Sequence, residues 1–189
     1  RTDLLSQISR GSSHLDDLDL NSLLIQAEKD PDVKYFNHTG INDAGSTLDE
    51  KIILDAAKFL ETGQKTELNY NVKNTDRTIG SKLSSYIYNK FKDTQINDDQ
   101  ITLNLNGSAG QSLGAFAVRG LTIKVHGDAN DYVGKSLSGG KIVIRPHKNS
   151  KIKSNENTIM GNTCMYGATS GSLYASGKAG ERFAVRNSG

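Results

Sequence analysis

Cysteine is nearly absent from this sequence, and its scarcity limits the chemistry that is open to the chain. Cys164 is the only cysteine among 189 residues. One thiol cannot form an internal disulfide, and by itself it cannot hold a zinc ion or an iron–sulfur cluster. We therefore predict a cytoplasmic protein in which no residue binds a metal.

Long apolar runs and a strong excess of charge are also absent. Hydrophobic residues make up 35% of the chain, and no run approaches the roughly 20 residues of a membrane span. The opening RTDLLSQISRG lacks the apolar centre of a signal peptide. The net charge is +2, and lysine and arginine are scattered along the sequence. We therefore expect a soluble chain whose partners include neither a membrane nor nucleic acid.

The first half of the chain shows alternating helix and strand patterns. Thr47-Leu48-Asp49-Glu50 has the form of a capping box, and the apolar spacing behind it predicts a helix from Leu48 to Thr62 that ends at Gly63. Alternation predicts strands over 66–72 and 101–105, with a second helix between them over 79–90. A further short helix is expected over 18–29.

Glycine is frequent only in the second half, where it repeats. Five of the 19 glycines precede residue 106. A set of three then recurs with a shift of about 20 residues, and further members follow, as in other repeat proteins. The repeat glycines are Gly107, Gly114 and Gly120, then Gly127, Gly134 and Gly140, then Gly161, Gly171, Gly177 and Gly180. This pattern predicts a mainly β fold, a parallel β-helix solenoid of about 20-residue coils with an N-terminal helix/strand region.

One stretch of this half suggests a nucleotide site. Residues 129–136, ANDYVGKS, match a relaxed phosphate-binding loop in which Lys135 and Ser136 would contact phosphate. Such a loop needs a helix opening at the Lys-Ser pair, whereas the sequence continues with two adjacent glycines and a strand pattern. The repeat explains the same glycines, so nucleotide binding is the weaker interpretation.

Other reactive side chains form no catalytic constellation. Asp128 and Asp131 could pair for acid/base work or metal binding, but Asp in such turns more often bonds its own backbone. Cys164 could be a nucleophile, although lone cysteines are usually packing residues. The histidines lack metal-ligand spacing; they are His14, His38, His126 and His147. We therefore predict no catalytic, cofactor-binding or metal-binding residue.

Several long motifs resemble one known family. GSAGQSLGAF, GDANDYVGKSLSGGKIVIRP, YGATSG and AGERFAVRNSG in the second half are similar to the C-terminal domain of the glutamate synthase large (alpha) subunit. The upstream LDEKIILDAAKFLETG, NTDRTIGSKLS and initial RTDLL resemble the same family. The resemblance implies that the β-helix is right-handed and that its role is structural.

The resemblance also implies a parent enzyme and partners. Glutamate synthases make two glutamates from glutamine and 2-oxoglutarate, with electrons delivered through FMN and an iron–sulfur cluster that lie in other domains. We expect residues 1–46 to be a connector after the FMN domain, 47–106 a lead-in, and 107–189 the glycine-rich coils, with 47–189 one structural domain. The expected partners are the glutaminase and FMN synthase domains, and also a reductase subunit. This chain is expected to contribute no catalytic residue.

A second function remains open on the same resemblance. Related β-helix domains occur in formylmethanofuran dehydrogenase, so the chain could instead be a stand-alone subunit of a redox complex.

Overall fold

A computed structural model of the chain describes residue 11 and residues 45–91 and 96–189. Residues Ala44–Gly189 form one compact unit. Its helices are α1 (Leu48–Asp55), α2 (Ala57–Thr62) and α3 (Ser81–Phe91). In the described part of the chain, no helix has the length and apolar character needed to cross a membrane.

The strands of residues 45–91 and 96–189 belong to one parallel sheet of seven strands. The strands are β1 (Thr66–Val72), β2 (Ile101–Ala109), β3 (Leu121–Ala129), β4 (Ser138–Arg145), β5 (Thr158–Met160), β6 (Ser170–Ala175) and β7 (Lys178–Ala179). The hydrogen-bonded order is β1-β2-β3-β4-β6, while β5 pairs with both β3 and β7. Strands consecutive in the chain are thus neighbours over β1 to β4.

The glycine repeat sets the register between β2 and β3. Gly107 lies opposite Gly127, and the pairing runs without a break from Ile101 and Leu121 to the ends of both strands. Side chains of neighbouring strands therefore stack in columns, since alternate residues of a strand point to opposite faces. One column places Leu105 beside Val125 and Val125 beside Ile144.

The core lies between one face of this sheet, the turns that follow the strands and the helices, and the turns contribute buried residues such as Leu113, Val133 and Leu137. Its sheet columns are buried, including Leu103, Ile123 and Ile142 at 0% exposure. The helices add Ile52, Phe59, Leu83 and Ile87, which are equally enclosed. At roughly 1.5–3 kcal/mol for each fully buried large aliphatic or aromatic side chain, this shared core holds sheet and helices together.

The expected right-handed parallel β-helix solenoid is wrong. The described residues form a seven-stranded parallel sheet with flanking helices, an α/β arrangement, so a mainly β class is only partly right. The physical reason is that a repeat of about 20 residues requires neighbouring strand-and-turn units to stack in parallel. It does not determine how the sheet is covered, and here α1, α2 and α3 supply buried side chains.

Most predicted elements of the first half are confirmed, with one break. The strand over 66–72 is confirmed by β1, and the second predicted helix begins two residues later than expected, at Ser81. The helix predicted from Leu48 to Thr62 is interrupted at Ala56, so it forms α1 and α2. The helix predicted over 18–29 lies outside the described residues.

Asp49 connects α1 to the start of α3. The capping box predicted for α1 is not formed. Thr47 makes no side-chain cap bond to α1. Instead, the Asp49 carboxylate accepts hydrogen bonds from the backbone N–H of Gly80 at 2.7 Å and of Lys82 at 2.8 Å. These N–H groups open α3, where a negative charge also meets the positive end of the helix dipole. Burial raises the pKa of Asp49, and the backbone hydrogen bonds oppose that rise.

Candidate functional site

The second half of the chain builds its most distinctive surface from stacked glycines and turns. Val72, Gly107 and Gly127 occupy one row across β1, β2 and β3. A Cβ on Gly107 would meet the carbonyl oxygen of Val72, and a Cβ on Gly127 would meet the carbonyl oxygen of Gly107. The positions of Gly107 and Gly127 therefore have room for backbone only, and we call these two glycines, together with Val72 beside them, the glycine row.

The structure distributes the ten repeat glycines among strands and turns. Seven of them have φ between 63° and 159°. These seven are Gly107, Gly114, Gly120, Gly127, Gly134, Gly171 and Gly177. The others, Gly140, Gly161 and Gly180, have no positive φ, and an added Cβ on each would lie within 3.0 Å of a neighbouring atom. Seven repeat glycines thus adopt a positive φ, and the other three lie where a neighbouring atom leaves no room for a Cβ.

The turns after the strands are also hydrogen-bonded to one another. In the turn over 131–136, Tyr132, Gly134 and Ser136 have φ of 61°, 64° and 53°. Their N–H groups point alternately to the two neighbouring turns. Gly134 donates to the carbonyl of Leu113, whereas Ser136 donates to that of Tyr166. Successive turns are therefore joined by backbone hydrogen bonds, as the strands are.

This arrangement occupies the loop that resembles a nucleotide site. The backbone N–H groups of Tyr132, Gly134, Lys135 and Ser136 all donate to protein carbonyls, so they are not directed at a ligand. The residues that follow form β4, and not the helix that a phosphate-binding loop requires. The Lys135 Nζ lies 5.7 Å from the centre of the Tyr132 ring, a cation–π contact.

We therefore expect no specific binding of ATP or GTP by the 129–136 loop. Calorimetric titration of the chain with either nucleotide and Mg²⁺ should give no saturable heat at concentrations up to about 1 mM. The Lys135→Ala variant should behave identically, with at most about 1 kcal/mol lost from the contact with Tyr132. Binding tighter than about 0.1 mM that disappears in Lys135→Ala would contradict this interpretation.

The two aspartates of the same region have separate surroundings. The Asp131 Oδ1 accepts a hydrogen bond from the backbone N–H of Asn162 at 2.7 Å, so this carboxylate joins two turns. Asp128 is exposed and lines a groove beside Ser108. Within the described residues, no group of three or more His, Cys, Asp or Glu is placed to hold a metal ion. Asp131 is thus a turn residue, but its carboxylate bonds the backbone of a turn 31 residues further along the chain and not its own backbone.

Cys164 is enclosed in the core and its thiol is held by the backbone. It is 0% exposed, and its Sγ lies 3.2 Å from the carbonyl oxygen of Gly161, to which it donates. Burial raises the pKa of Cys164 to about 11. A thiol in these surroundings is a poor nucleophile at neutral pH, because only the thiolate reacts readily.

Alkylation of Cys164 should accordingly be slow. At pH 8, the raised pKa reduces the thiolate fraction about 100-fold relative to an ordinary thiol, and enclosure slows access further. We expect iodoacetamide to modify the folded chain at least about 100-fold more slowly than the same chain unfolded in urea. Rates within about tenfold of each other would show that the thiol is accessible.

Two of the four histidines lie in the described region. His126 on β3 accepts a hydrogen bond at Nε2 from Arg145 Nη2, with 3.1 Å between the two nitrogens. His147 follows β4 and lines the same groove as His126. His14 and His38 lie outside the described residues.

Comparison with known proteins identifies the fold unit that these turns and glycines form. A family model described as the GXGXG motif matches residues 49–189, which include the glycine row, the stacked turns and all ten repeat glycines. The chain belongs to the GXGXG motif family.

The relatives of this GXGXG domain are glutamate synthases. The glutamate synthase (NADPH) large chain of Azospirillum brasilense is 55% identical over 189 residues, 100% of this chain and 12% of that protein. The glutamate synthase (NADH) of Saccharomyces cerevisiae is 54% identical over 142 residues, 75% of this chain and 7% of the relative. Ferredoxin-dependent glutamate synthase 2 of Synechocystis is 45% identical over 194 residues, 100% of this chain and 12% of the relative.

These matches confirm the resemblance to the glutamate synthase large subunit. They also show that the GXGXG domain corresponds to a small part of a much longer polypeptide, since the chain spans only 7% to 12% of these relatives. The similarity to glutamate synthases extends over the whole chain in two of these relatives.

Sequence patterns missed a series of polar contacts in the GXGXG domain. Asn130 Nδ2 donates to Asn74 Oδ1 at 2.7 Å, and the backbone N–H of Glu181 donates to Asn162 Oδ1 at 2.8 Å. Together with the contact between Asp131 and Asn162, these bonds join successive turns near the strand ends. The signal that could have found them is the recurrence of Asn or Asp at the second residue after β1, β3 and β5, which is Asn74, Asp131 and Asn162.

Proposed function

We propose that this chain is a non-catalytic structural domain of a glutamate synthase large chain, holding its glutaminase and FMN synthase domains in a fixed relation. The parent enzyme would convert glutamine, 2-oxoglutarate and a reductant into two glutamates. FMN and the iron–sulfur cluster would bind outside this chain, in which the buried Cys164 is the only thiol. A cytoplasmic setting is part of the same proposal.

The observation that carries this proposal is the range of relatives that align with the chain. Enzymes named for NADPH, NADH and ferredoxin are all 45% to 55% identical to it. Because enzymes with three different electron donors share this domain, its role should be one that all of them need. Recognition of a particular electron donor is not such a role.

The internal bonding of the domain suits a rigid spacer. Both its strands and its turns are hydrogen-bonded from one unit to the next, so bending the stack requires breaking many bonds together. An enzyme that passes an intermediate between two sites needs a constant distance between them. A rigid domain between or beside those sites would maintain that distance.

The proposal can be tested in a complete glutamate synthase large chain that carries this domain. Loosening the domain with Gly127→Ala should reduce glutamine-dependent glutamate formation more than about fivefold. Glutamine hydrolysis alone, and glutamate formation from supplied ammonia, should each stay within about twofold, because the catalytic domains remain intact. The Gly167→Ala variant serves as the control, since an added Cβ there meets no atom closer than 3.6 Å.

A catalytic role for this chain would produce a different result. If Asp128→Asn or Cys164→Ser lowered kcat of either partial reaction more than about tenfold without unfolding the domain, the structural proposal would be wrong.

A further inference from the structure

Basic side chains that are separated in the sequence meet on the outer face of β3 and β4. Lys124 and His126 alternate with the core residues Ile123 and Val125, so they lie on the face opposite the core. The register places His126 directly beside Arg145, and Lys148 follows shortly after β4. We call Lys124, His126, Arg145, His147 and Lys148 the basic cluster.

No carboxylate of the described region forms an ion pair with this cluster. The ion pairs found within 45–91 and 96–189 join Lys82 to Glu50, Arg119 to Asp98, Lys141 to Asp99 and Lys153 to Glu156. Lys124 acts weakly on Asp99, whose carboxylate is already bonded to Lys141 and Thr122. Among the described residues, the cluster therefore carries positive charge that no ion pair balances.

The surroundings of His126 reflect that excess. Burial lowers the pKa of His126, and the charges of Arg145, Lys148, His147 and Lys124 lower it further. All four neighbours act in the direction expected for nearby positive charge. Arg145 donates to the Nε2 of His126, so that nitrogen carries no proton in this arrangement.

A groove of about 280 Å³ adjoins the cluster and indicates the kind of ligand it would accept. His126 and His147 form its basic side, while Ile152 and Ile159 contribute apolar surface. Ile152 is 48% exposed, and Asp128 is the one carboxylate among the lining residues. A groove of this size has room for a few side chains of a polypeptide.

The spread of the charges also favours a polypeptide over a single phosphate. Lys124 and Arg145 lie on adjacent strands and are offset by two residues, which separates their Cα atoms by about 8 Å. One phosphate cannot contact all members of a cluster of this width, whereas an extended segment with several carboxylates can. Such charge complementarity sets register and specificity at protein interfaces.

We propose that the basic cluster and its groove dock an acidic polypeptide segment from another domain of the parent large chain, with an apolar side chain of that segment against Ile152. This inference rests on the proposed function, because it supplies one of the contacts through which the domain would hold its neighbours. The occupant carries several Asp or Glu residues and is fixed by charge and by one apolar contact.

Carbodiimide cross-linking of a complete large chain carrying this sequence tests the contact directly, since the reagent joins lysine amines to carboxylates that touch them. We expect Lys124 or Lys148 to be linked to an Asp or Glu outside residues 1–189. The ion pair of Lys82 with Glu50, at 2.7 Å, is the internal control that must also be linked. If the control forms while Lys124 and Lys148 link to nothing, or only to residues 1–189, the proposal is wrong.

Charge removal provides an independent measurement. The triple variant Lys124→Gln/Arg145→Gln/Lys148→Gln should melt within about 1 °C of the wild-type chain when isolated, because exposed charges contribute little to stability. In the complete large chain it should lower the melting temperature of this domain by about 3 °C or more, corresponding to roughly 1 kcal/mol of lost contact. The matched control Lys58→Gln/Lys65→Gln/Lys73→Gln, at three exposed lysines, should change neither value.

Three outcomes of these variants would contradict the proposal. If the triple variant lowered the melting temperature of the isolated chain by the same amount, the cluster would have a role within the domain. If it left the melting temperature in the complete large chain unchanged, the cluster would make no contact with another domain. Binding of duplex DNA by the wild-type chain, lost in the triple variant, would assign nucleic acid as the partner. The structural role itself is tested by the partial reactions of the Gly127→Ala variant. Cross-links without an effect of Gly127→Ala on glutamine-dependent glutamate formation would support the docking contact alone. That effect without cross-links would support the structural role alone.

Discussion

Replacing Asp49 by alanine should lower the free energy of unfolding by about 3 kcal/mol. The substitution leaves the buried N–H of Gly80 and the partly buried N–H of Lys82 without their acceptor, at about 1–3 kcal/mol for an unsatisfied buried group. Lost capping of α3 is part of the same cost. In a chain of this size we expect the melting temperature to fall by roughly 5–12 °C.

Glu50 offers a matched control one residue away. Its Oε1 lies 2.7 Å from Lys82 Nζ, but both side chains are about half exposed. Glu50→Ala should therefore cost less than about 1 kcal/mol. Asp49→Asn should fall between the two alanine variants, because the amide retains one acceptor oxygen and loses the charge. Urea unfolding followed by circular dichroism measures all three.

The comparison has a definite contrary outcome. If Asp49→Ala and Glu50→Ala destabilised the chain equally, the buried carboxylate would not be what joins α1 to α3. The burial of Asp49, at 5% exposure, predicts a clear difference between the two variants.

The Gly127→Ala variant should be damaged at least as severely, with an expected loss of about 3–5 kcal/mol. Its Cβ would overlap the carbonyl oxygen of Gly107 and lie 2.8 Å from the carbonyl carbon. Movement of the backbone is opposed, because β3 is paired with β2 through Gly127 and with β4 as far as His126. Thermal unfolding and the yield of folded protein are the measurements.

Gly167→Ala separates this overlap from the general cost of replacing a glycine. Gly167 has φ 65°, and the nearest atom to an added Cβ is Ser136 Oγ at 3.6 Å. The variant should lose only the roughly 1–2 kcal/mol of a left-handed conformation. A Gly127→Ala loss no larger than that of Gly167→Ala would mean that the glycine row tolerates a methyl group.

The sequence predicted local structure best where a single periodicity applied. Alternation over 66–72 predicted β1, and the glycine shift between Gly107 and Gly127 reappears as the register of β2 and β3. Prediction from the sequence failed where a side chain bonds a segment that is distant in the sequence. The Thr47 capping box looked complete, but Asp49 bonds the start of α3, a segment remote in sequence.

The candidate site shows the same division. The Lys135-Ser136 pair resembles a phosphate-binding loop, and the missing helix context could be read from the sequence alone. The sequence alone could not show that the backbone N–H groups of this loop are bonded to neighbouring turns, because those partners come from other units of the repeat. The basic residues also seemed scattered, and only strand pairing brings His126 beside Arg145.

By itself, the sequence determined the glutamate synthase resemblance, the single thiol and the parallel stacking of units about 20 residues apart, because each depends on residue identity and spacing. Only the tertiary structure decided that the units form a seven-stranded sheet covered by helices and that Asp49 caps α3. The physical reason is that these features depend on which distant groups satisfy buried hydrogen bonds and cover apolar surface. That competition is settled by packing, which no local pattern records.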